Sequence, residues 1–343
     1  MVQLKQAGAA GRGASGKSMN EGVRTMSYAA AAASALDELM CTDASVVALG
    51  EDLGRGGIFG QYCGLLEAHG AARVIDTPIS EATIVGAAVG MALTGLKPVV
   101  EMRVVDFALC AMDEIVNQAA KNRFMFGGQG RVPVVIRMPI GIWSASAAQH
   151  SQSLEAWFAH VPGLAVVCPA TPQDNYALLK AAVASGDPVA YFEHKELWGV
   201  EGEVDASQAV EIGRARVARA GRDLTIVAWS RAVHDALEAA HTLAAQGVDA
   251  EVIDLRTIWP WDCEMVEASA RRTGHVLVVH EAVQVAGFGA EIVATLAERC
   301  DAKLARLGAA RAPVGYSPPL EAHARLDAAK IVEAATKLLG RAR

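Results

Sequence analysis

The stretch Arg73–Met102 shows the pattern that the rest of the chain repeats. Val74 and Ile75 read as a strand that stops at Asp76. Pro78 breaks it, and Ser80 reads as the N-cap of a helix running to about Gly95, with a second strand from Pro98. Between Ala82 and Leu93 that helix has almost no polar position, which predicts burial on all sides. Glu81 would be buried with it, at the strand-to-helix crossover on the carboxyl edge of a parallel sheet, where ligands bind in such sheets. A buried carboxylate is costly unless paired or used. The alternative is that Glu81 only caps its own helix.

The same alternation continues on both sides. Ser27–Met40 reads as an Ala-rich helix, Val46–Leu49 as a strand ending in Gly-Glu-Asp, and Val132–Pro139 as a buried strand. Apolar spacing at Met112, Ile115, Ala119 and Phe124 predicts one helix, while Gly141–His150 is a loop too long and unpatterned for a simple connection. Strand, helix and strand then follow over Leu164–Cys168, Pro172–Ser185 and Pro188–Glu193. Charges break the pattern over residues 201–222, which read as a linker, and alternation resumes from Leu224 to a last helix over Leu326–Leu339. This predicts an α/β protein of two domains, 26–200 and 223–343, each a mostly parallel sheet covered by helices. Residues 1–25 are rich in Gly, Ala and Ser without the apolar centre of a secretory signal, so they read as a disordered leader. Gly54–Gly60 has the wrong spacing for a dinucleotide loop and reads instead as a flexible loop over a site.

Composition narrows the class. At 343 residues, 52% apolar with only 5% aromatic, the chain fills its cores with Ala, Val and Leu, as helix-covered parallel sheets do. A net charge of −7 without a long basic run argues against nucleic-acid binding. No apolar run is long enough to span a membrane. The six cysteines are scattered without a CxxC pair, which predicts a reduced cytoplasmic protein with buried thiols.

IDTPISE (75–81), AAQHSQS (147–153), WFAHVPGL (157–164) and FEHKELWG (192–199) resemble, in consistent order from about Met26 to the C-terminus, the β subunit of the thiamine-diphosphate-dependent decarboxylating component of 2-oxoacid dehydrogenase complexes. Pyruvate, branched-chain 2-oxoacid and acetoin dehydrogenases belong to this group. The resemblance implies a pyrimidine-binding transketolase-like domain followed by a transketolase C-terminal domain. It places Glu81 against the pyrimidine of the cofactor, Ile79 packed on it, and Phe107 against the ring. It makes Glu51, Asp52 and Asp113 acids lying between two active sites, where they would relay protons; the plainer reading of Glu51 and Asp52 is solvated charge at a strand end. It turns His150 toward the substrate and the incoming lipoyl group. Cys110 stands where many relatives carry Gln or Glu, which puts that cofactor contact in doubt. Potassium held by backbone groups near Val134, Ala182, Val183 and Asp187 is also a family feature.

One absence shapes the expected assembly. Thiamine enzymes hold Mg²⁺ and the diphosphate through a Gly-Asp-Gly segment with a following Asn; the nearest match here is Gly186-Asp187-Pro188, where Pro removes a backbone donor. A diphosphate needs a metal or a dedicated amide cradle. The resemblance therefore implies that an α subunit supplies Mg²⁺ and the diphosphate half, in an α₂β₂ assembly serving a lipoyl-bearing acyltransferase core. The C-terminal domain would provide subunit contacts and docking. FEHKELWGVEGEV leans toward pyruvate or acetoin as substrate. The rivals are a split transketolase-like half, which would need basic residues for a sugar phosphate, and an inactive scaffold subunit.

Overall fold

The computed structural model describes residues 22–341. Most of the leader therefore lies outside the described residues, but residues 22–25 do not. Arg24 and Thr25 belong to a strand, Arg24–Ser27, that pairs antiparallel with Glu201–Val204, so order begins earlier than composition predicts. The cause is tertiary: a short polar strand finds its partner in a segment 174 or more residues later, which no local pattern reports.

A seven-stranded sheet dominates the first half. Its spatial order is Thr257–Trp259, Ala165–Val167, Val189–His194, Val135–Ile140, Lys97–Glu101, Val46–Gly50 and Val74–Asp76. Every pairing is parallel except that of Thr257–Trp259, which joins antiparallel from the second half of the chain. A five-stranded sheet follows, in the order Lys303–Ala309, His275–Val283, Leu224–Ala228, Ala250–Asp254 and Arg216–Arg219, again parallel except for the last strand. Residues 201–222 thus contribute one strand to the small ribbon and one to this sheet. The central strands of both sheets are buried along their whole length, as their runs of Val, Ile and Ala require.

The helix after the third strand spans Glu81–Leu93 and buries Ile84, Val85, Ala88, Val89 and Ala92. Thr83, Ala87, Gly90 and Leu93 are exposed, so it is not buried all round. Its outer face carries small and apolar residues where a surface helix would carry charges. The single helix expected through Met112 and Phe124 is broken into a short turn at Val105–Ala108, a π-helical segment Glu114–Ala119 and a last turn Asn122–Met125. Ile115 and Ala119 still face the core, but Phe124 is 86% exposed. The apolar spacing recorded the buried face and not the winding.

Candidate active site

The first sheet reverses direction beside the end of Val46–Gly50. From that strand the chain moves outward to Val74–Asp76, then returns across it to Lys97–Glu101, and ligands bind at such reversals. Glu51 and Asp52 leave the carboxyl end of the first of these strands, and Glu81 opens the helix after the second. The backbones are close: a Cβ on Gly50 would lie 2.6 Å from the Glu101 carbonyl oxygen, so glycine is required there. Asp52 takes a left-handed conformation with φ 59°, and its carboxylate accepts from Arg103 at 2.9 Å. Burial pushes the Glu51 carboxyl up, and the negative charge of Glu81 pushes it further against the opposing Arg103. The two acids therefore lie within electrostatic reach of each other.

Glu81 itself is half-buried, not enclosed as its apolar helix suggests. The reason is its place in the first turn, at the open end of a helix whose buried face begins only at Ile84. Ser80 occupies the N-cap position without capping; its hydroxyl donates to Thr83 Oγ1 at 2.8 Å. Glu81 is thus the acid at that helix end, where the positive end of the helix dipole favours a carboxylate.

Two strands further along the same edge, Phe107 and His150 meet edge to face with ring centroids 5.3 Å apart. His150 is exposed and sits in an irregular loop in which Ser144, Ala145 and Ala147 adopt positive φ. The loop is nonetheless tied down. Gln152 donates to Asp106 at 2.6 Å, and the Lys195 ammonium donates to the His150 carbonyl. The second half of the chain supplies two more ties, with Ile142 N–H donating to Glu281 at 2.8 Å and Ala145 N–H to Glu321 at 2.6 Å. Gly141 begins the loop at φ +93°, and any Cβ there would lie 2.0 Å from His194 Nε2.

These anchors were not singled out in the sequence. Burial lowers the Lys195 ammonium to about 8 against the opposing charges of Asp106 and Glu281. Burial likewise raises Asp106, opposed by Gln152 and Lys195. His194 accepts from Glu196 N–H at 3.1 Å through Nδ1, leaving Nε2–H to donate to Glu281 at 3.0 Å. Burial would raise Glu281, but His194 outweighs it and holds the carboxyl below its usual range. The available signal was an acid inside an apolar run, Asp106 in VVDFAL, whereas Lys195 is flanked by His194 and Glu196 in FEHKELWG and carries no such mark.

A second buried network fixes the loop at Gly54–Gly60, expected to be flexible. Tyr62 Oη donates to Glu101 Oε2 at 2.9 Å and Gln61 Nε2 to Oε1 at 3.2 Å. Phe59 stacks on Trp198 with centroids 4.9 Å apart. Arg137 pairs with Glu193 through two hydrogen bonds of 2.8 and 2.9 Å and lies over the Tyr62 ring. Burial pushes Glu101 up to about 7 despite Arg137 nearby.

Other sequence candidates stand apart. Ile79 is 77% exposed on the turn before Glu81. Asp113 is exposed, its carboxylate accepting from Asn117 at 2.7 Å. Cys110 is exposed, as are Cys41 and Cys63, and Cys263 and Cys300 are half-buried, so of the six thiols only Cys168 is buried as the composition suggested. Asp187 lies at the amino end of Val189–His194, on the opposite edge of the sheet from Glu51 and Glu81, and its carboxylate is taken by Arg123.

Residues 24–200 match the transketolase pyrimidine-binding domain and residues 213–331 the transketolase C-terminal domain. The β subunit of acetoin:2,6-dichlorophenolindophenol oxidoreductase from Cupriavidus necator is 42% identical, covering 92% of this chain and 98% of its own. The β subunit of 2-oxoisovalerate dehydrogenase from Bacillus subtilis is also 42% identical, with the same coverages. This chain belongs to the β subunits of thiamine-diphosphate-dependent 2-oxoacid dehydrogenase components. A third member of the family, the mitochondrial pyruvate dehydrogenase E1 subunit beta-2 of Oryza sativa, is 43% identical over 90% of this chain and 85% of its own. Among solved structures, a split-gene transketolase described as an inactive β₄ tetramer superposes with a TM-score of 0.79 at 26% identity, covering 93% of this chain and 99% of that one. The family is that of oxidoreductase subunits with transketolase-like domains, as the sequence motifs implied. No helix among the described residues is long and apolar enough to cross a membrane.

Proposed function

We propose that this chain is the pyrimidine-side half of a composite active site that cleaves a C–C bond next to a carbonyl and passes the acyl group to a lipoyl domain. The observation that carries the reading is the separation of the two sheet edges. The acids and aromatic fit for a pyrimidine gather at the carboxyl edge, whereas the nearest match to a metal-binding Gly-Asp-Gly turn sits on the amino edge with its carboxylate paired. The donor set suits one end of thiamine diphosphate and not the other. An α subunit would hold Mg²⁺ and the diphosphate in an α₂β₂ assembly, and the chain would be active only with it. The exposed apolar residues Ile79, Leu109, Phe124, Met125 and Phe126 support such a contact.

Thiamine diphosphate, when bound, supplies an electron sink adjacent to the substrate carbonyl. In this chain Glu81 would hold and return a proton at the pyrimidine ring nitrogen, with Glu51 the second acid of a relay through Asp52. Phe107 would wall the ring, Ile79 would cover it on assembly, and His150 would donate a hydrogen bond or a proton to the substrate carbonyl. Asp113 and Cys110 would line the contact with the partner. Backbone groups near Val134, Ala182, Val183 and Asp187 would hold potassium only in competition with the Ser185 hydroxyl, which donates to the Ala182 and Asp187 carbonyls at 2.8 and 3.0 Å. The domains would be 26–200 and 223–343, joined by 201–222. A cytoplasmic location, an acyltransferase core as partner, and pyruvate or acetoin as substrate complete the reading. The His150 loop offers no Lys or Arg for a sugar phosphate, which disfavours a transketolase activity.

Co-purification with the α partner, then a reductive-acylation assay on pyruvate, acetoin and a branched 2-oxoacid, tests the activity. Calorimetry on the chain alone should show no measurable cofactor binding. Tight binding by the isolated chain would refute the composite site, and full turnover by Glu81→Gln would leave only a scaffold.

A further inference from the structure

Away from this edge, Asp37 and Cys41 stand one turn apart on the Tyr28–Thr42 helix, on one face. His69 closes the short Leu65–His69 helix beside them. Among the described residues this is the one group of three His, Cys, Asp or Glu side chains whose ligand atoms all lie within 4.8 Å of one another. His69 Nε2 and Asp37 Oδ1 are already 2.7 Å apart. The imidazole is held in place, with only 6% of its side chain exposed, while Asp37 is 47% exposed and Cys41 is open to solvent. One donor is fixed by packing, and two can adjust by rotamer changes.

We propose that Asp37, Cys41 and His69 form a zinc site that clasps the Leu65–His69 helix onto the Tyr28–Thr42 helix. Imidazole nitrogen, thiolate sulfur and carboxylate oxygen are the donors zinc takes, and sulfur argues against calcium or magnesium. Tetrahedral donors about 2.0–2.3 Å from zinc lie roughly 3.3–3.7 Å from one another, so the His69 and Asp37 donors, now 2.7 Å apart, must part slightly while Cys41 closes in from within 4.8 Å. Three protein donors leave the fourth position to water. On binding, the Cys41 thiol releases its proton to solvent and its sulfur bonds the metal, while the proton that His69 Nε2 shares with Asp37 moves to Nδ1 by tautomer exchange through solvent, freeing Nε2 and the carboxylate to bond the metal in place of their hydrogen bond. Affinity therefore rises with pH. The segment closed between Cys41 and His69 contains Glu51, Asp52 and the Gly54–Gly60 loop, so the clasp would stiffen the connection beneath the acids.

The full-length chain, with its α partner where the two co-purify, is stripped with chelator and titrated with zinc chloride by calorimetry and with cobalt chloride by absorption. One ion per chain is expected, with a thiolate-to-cobalt charge-transfer band in the near ultraviolet. Cys41→Ser should abolish the band and weaken zinc at least about tenfold, and Asp37→Asn should weaken it similarly. Cys63→Ser and Cys110→Ser should change neither. Zinc should raise the melting temperature of the parent and not of Cys41→Ser, a surface change that leaves the fold intact even if His69→Gln does not. Absence of saturable binding by the folded chain, or binding and band unchanged in Cys41→Ser, overturns the site.

Discussion

At the carboxyl edge of the seven-stranded sheet, Glu51, Glu81 and His150 remain partly or fully open to solvent. At the same edge of the five-stranded sheet the space is filled. Trp229 stacks on His280 with centroids 5.2 Å apart, and Phe288 meets Trp229 edge-on at 6.5 Å. Burial lowers His280 to about 4 against its bond to the Ala282 carbonyl, so the ring is neutral and packed against Gly287, Gly289 and Gly308. Asp254, at the end of its strand, is spoken for by Arg216 at 2.9 Å. Two sheets of the same design thus differ in the segments that leave their strand ends: short acids and an irregular loop in one, aromatics and paired charges in the other. The second half still serves the first edge, because Glu281 and Glu321 hold the His150 loop.

The contrast can be broken by substitution on each side. Glu81→Gln at the open edge should lower turnover of the co-purified complex by about 10²–10⁴ while leaving the melting temperature unchanged. Trp229→Ala at the filled edge should do the reverse. It opens a cavity and removes the Nε1 donor 3.1 Å from buried Glu155, costing about 3–5 kcal/mol of stability in denaturant unfolding with little change in turnover per folded enzyme. If Trp229→Ala abolished turnover in a folded enzyme, the two edges would not be separable.

Titration sharpens the comparison further. Glu101, beneath Gly50, has a carboxyl raised to about 7, so its contribution to stability is present below the usual carboxylate range and lost as pH rises through 7. Over that interval the loss is roughly 3 kcal/mol at about 1.4 kcal/mol per unit, and Glu101→Gln should flatten the fall in melting temperature between pH 5 and 8. Lys195, lowered to about 8, loses the charge that grips the His150 carbonyl above that pH. Turnover should then fall on an alkaline limb near 8, and Lys195→Arg should carry it to higher pH. Lys195→Met should cost about tenfold at neutral pH.

Much of this architecture was legible because it is local. Val74–Asp76, Glu81–Leu93 and Lys97–Glu101 carry their own punctuation in Asp76, Pro78 and Gly95, and the motif around Glu81 named the family. The antiparallel pairs were not legible: Arg24–Ser27 with Glu201–Val204, and Thr257–Trp259 with Ala165–Val167, join segments whose sequences say nothing of each other. The same holds within the site. Glu81 and His150 have recognisable neighbours in sequence, whereas the grip of Lys195, Asp106 and Glu281 on the loop exists only after strands far apart in the chain are set side by side. The apolar run Ala82–Leu93 predicts more burial for Glu81 than the fold provides, because the first turn of the helix lies outside the buried face that begins at Ile84.

The antiparallel strand Thr257–Trp259 has a mechanical consequence. It stitches the later half of the polypeptide onto the outer rim of the earlier sheet, so the halves cannot swing apart without unzipping a ladder. A fragment cut before it would carry Ala165–Val167 as a bare rim, inviting edge-to-edge association with other copies.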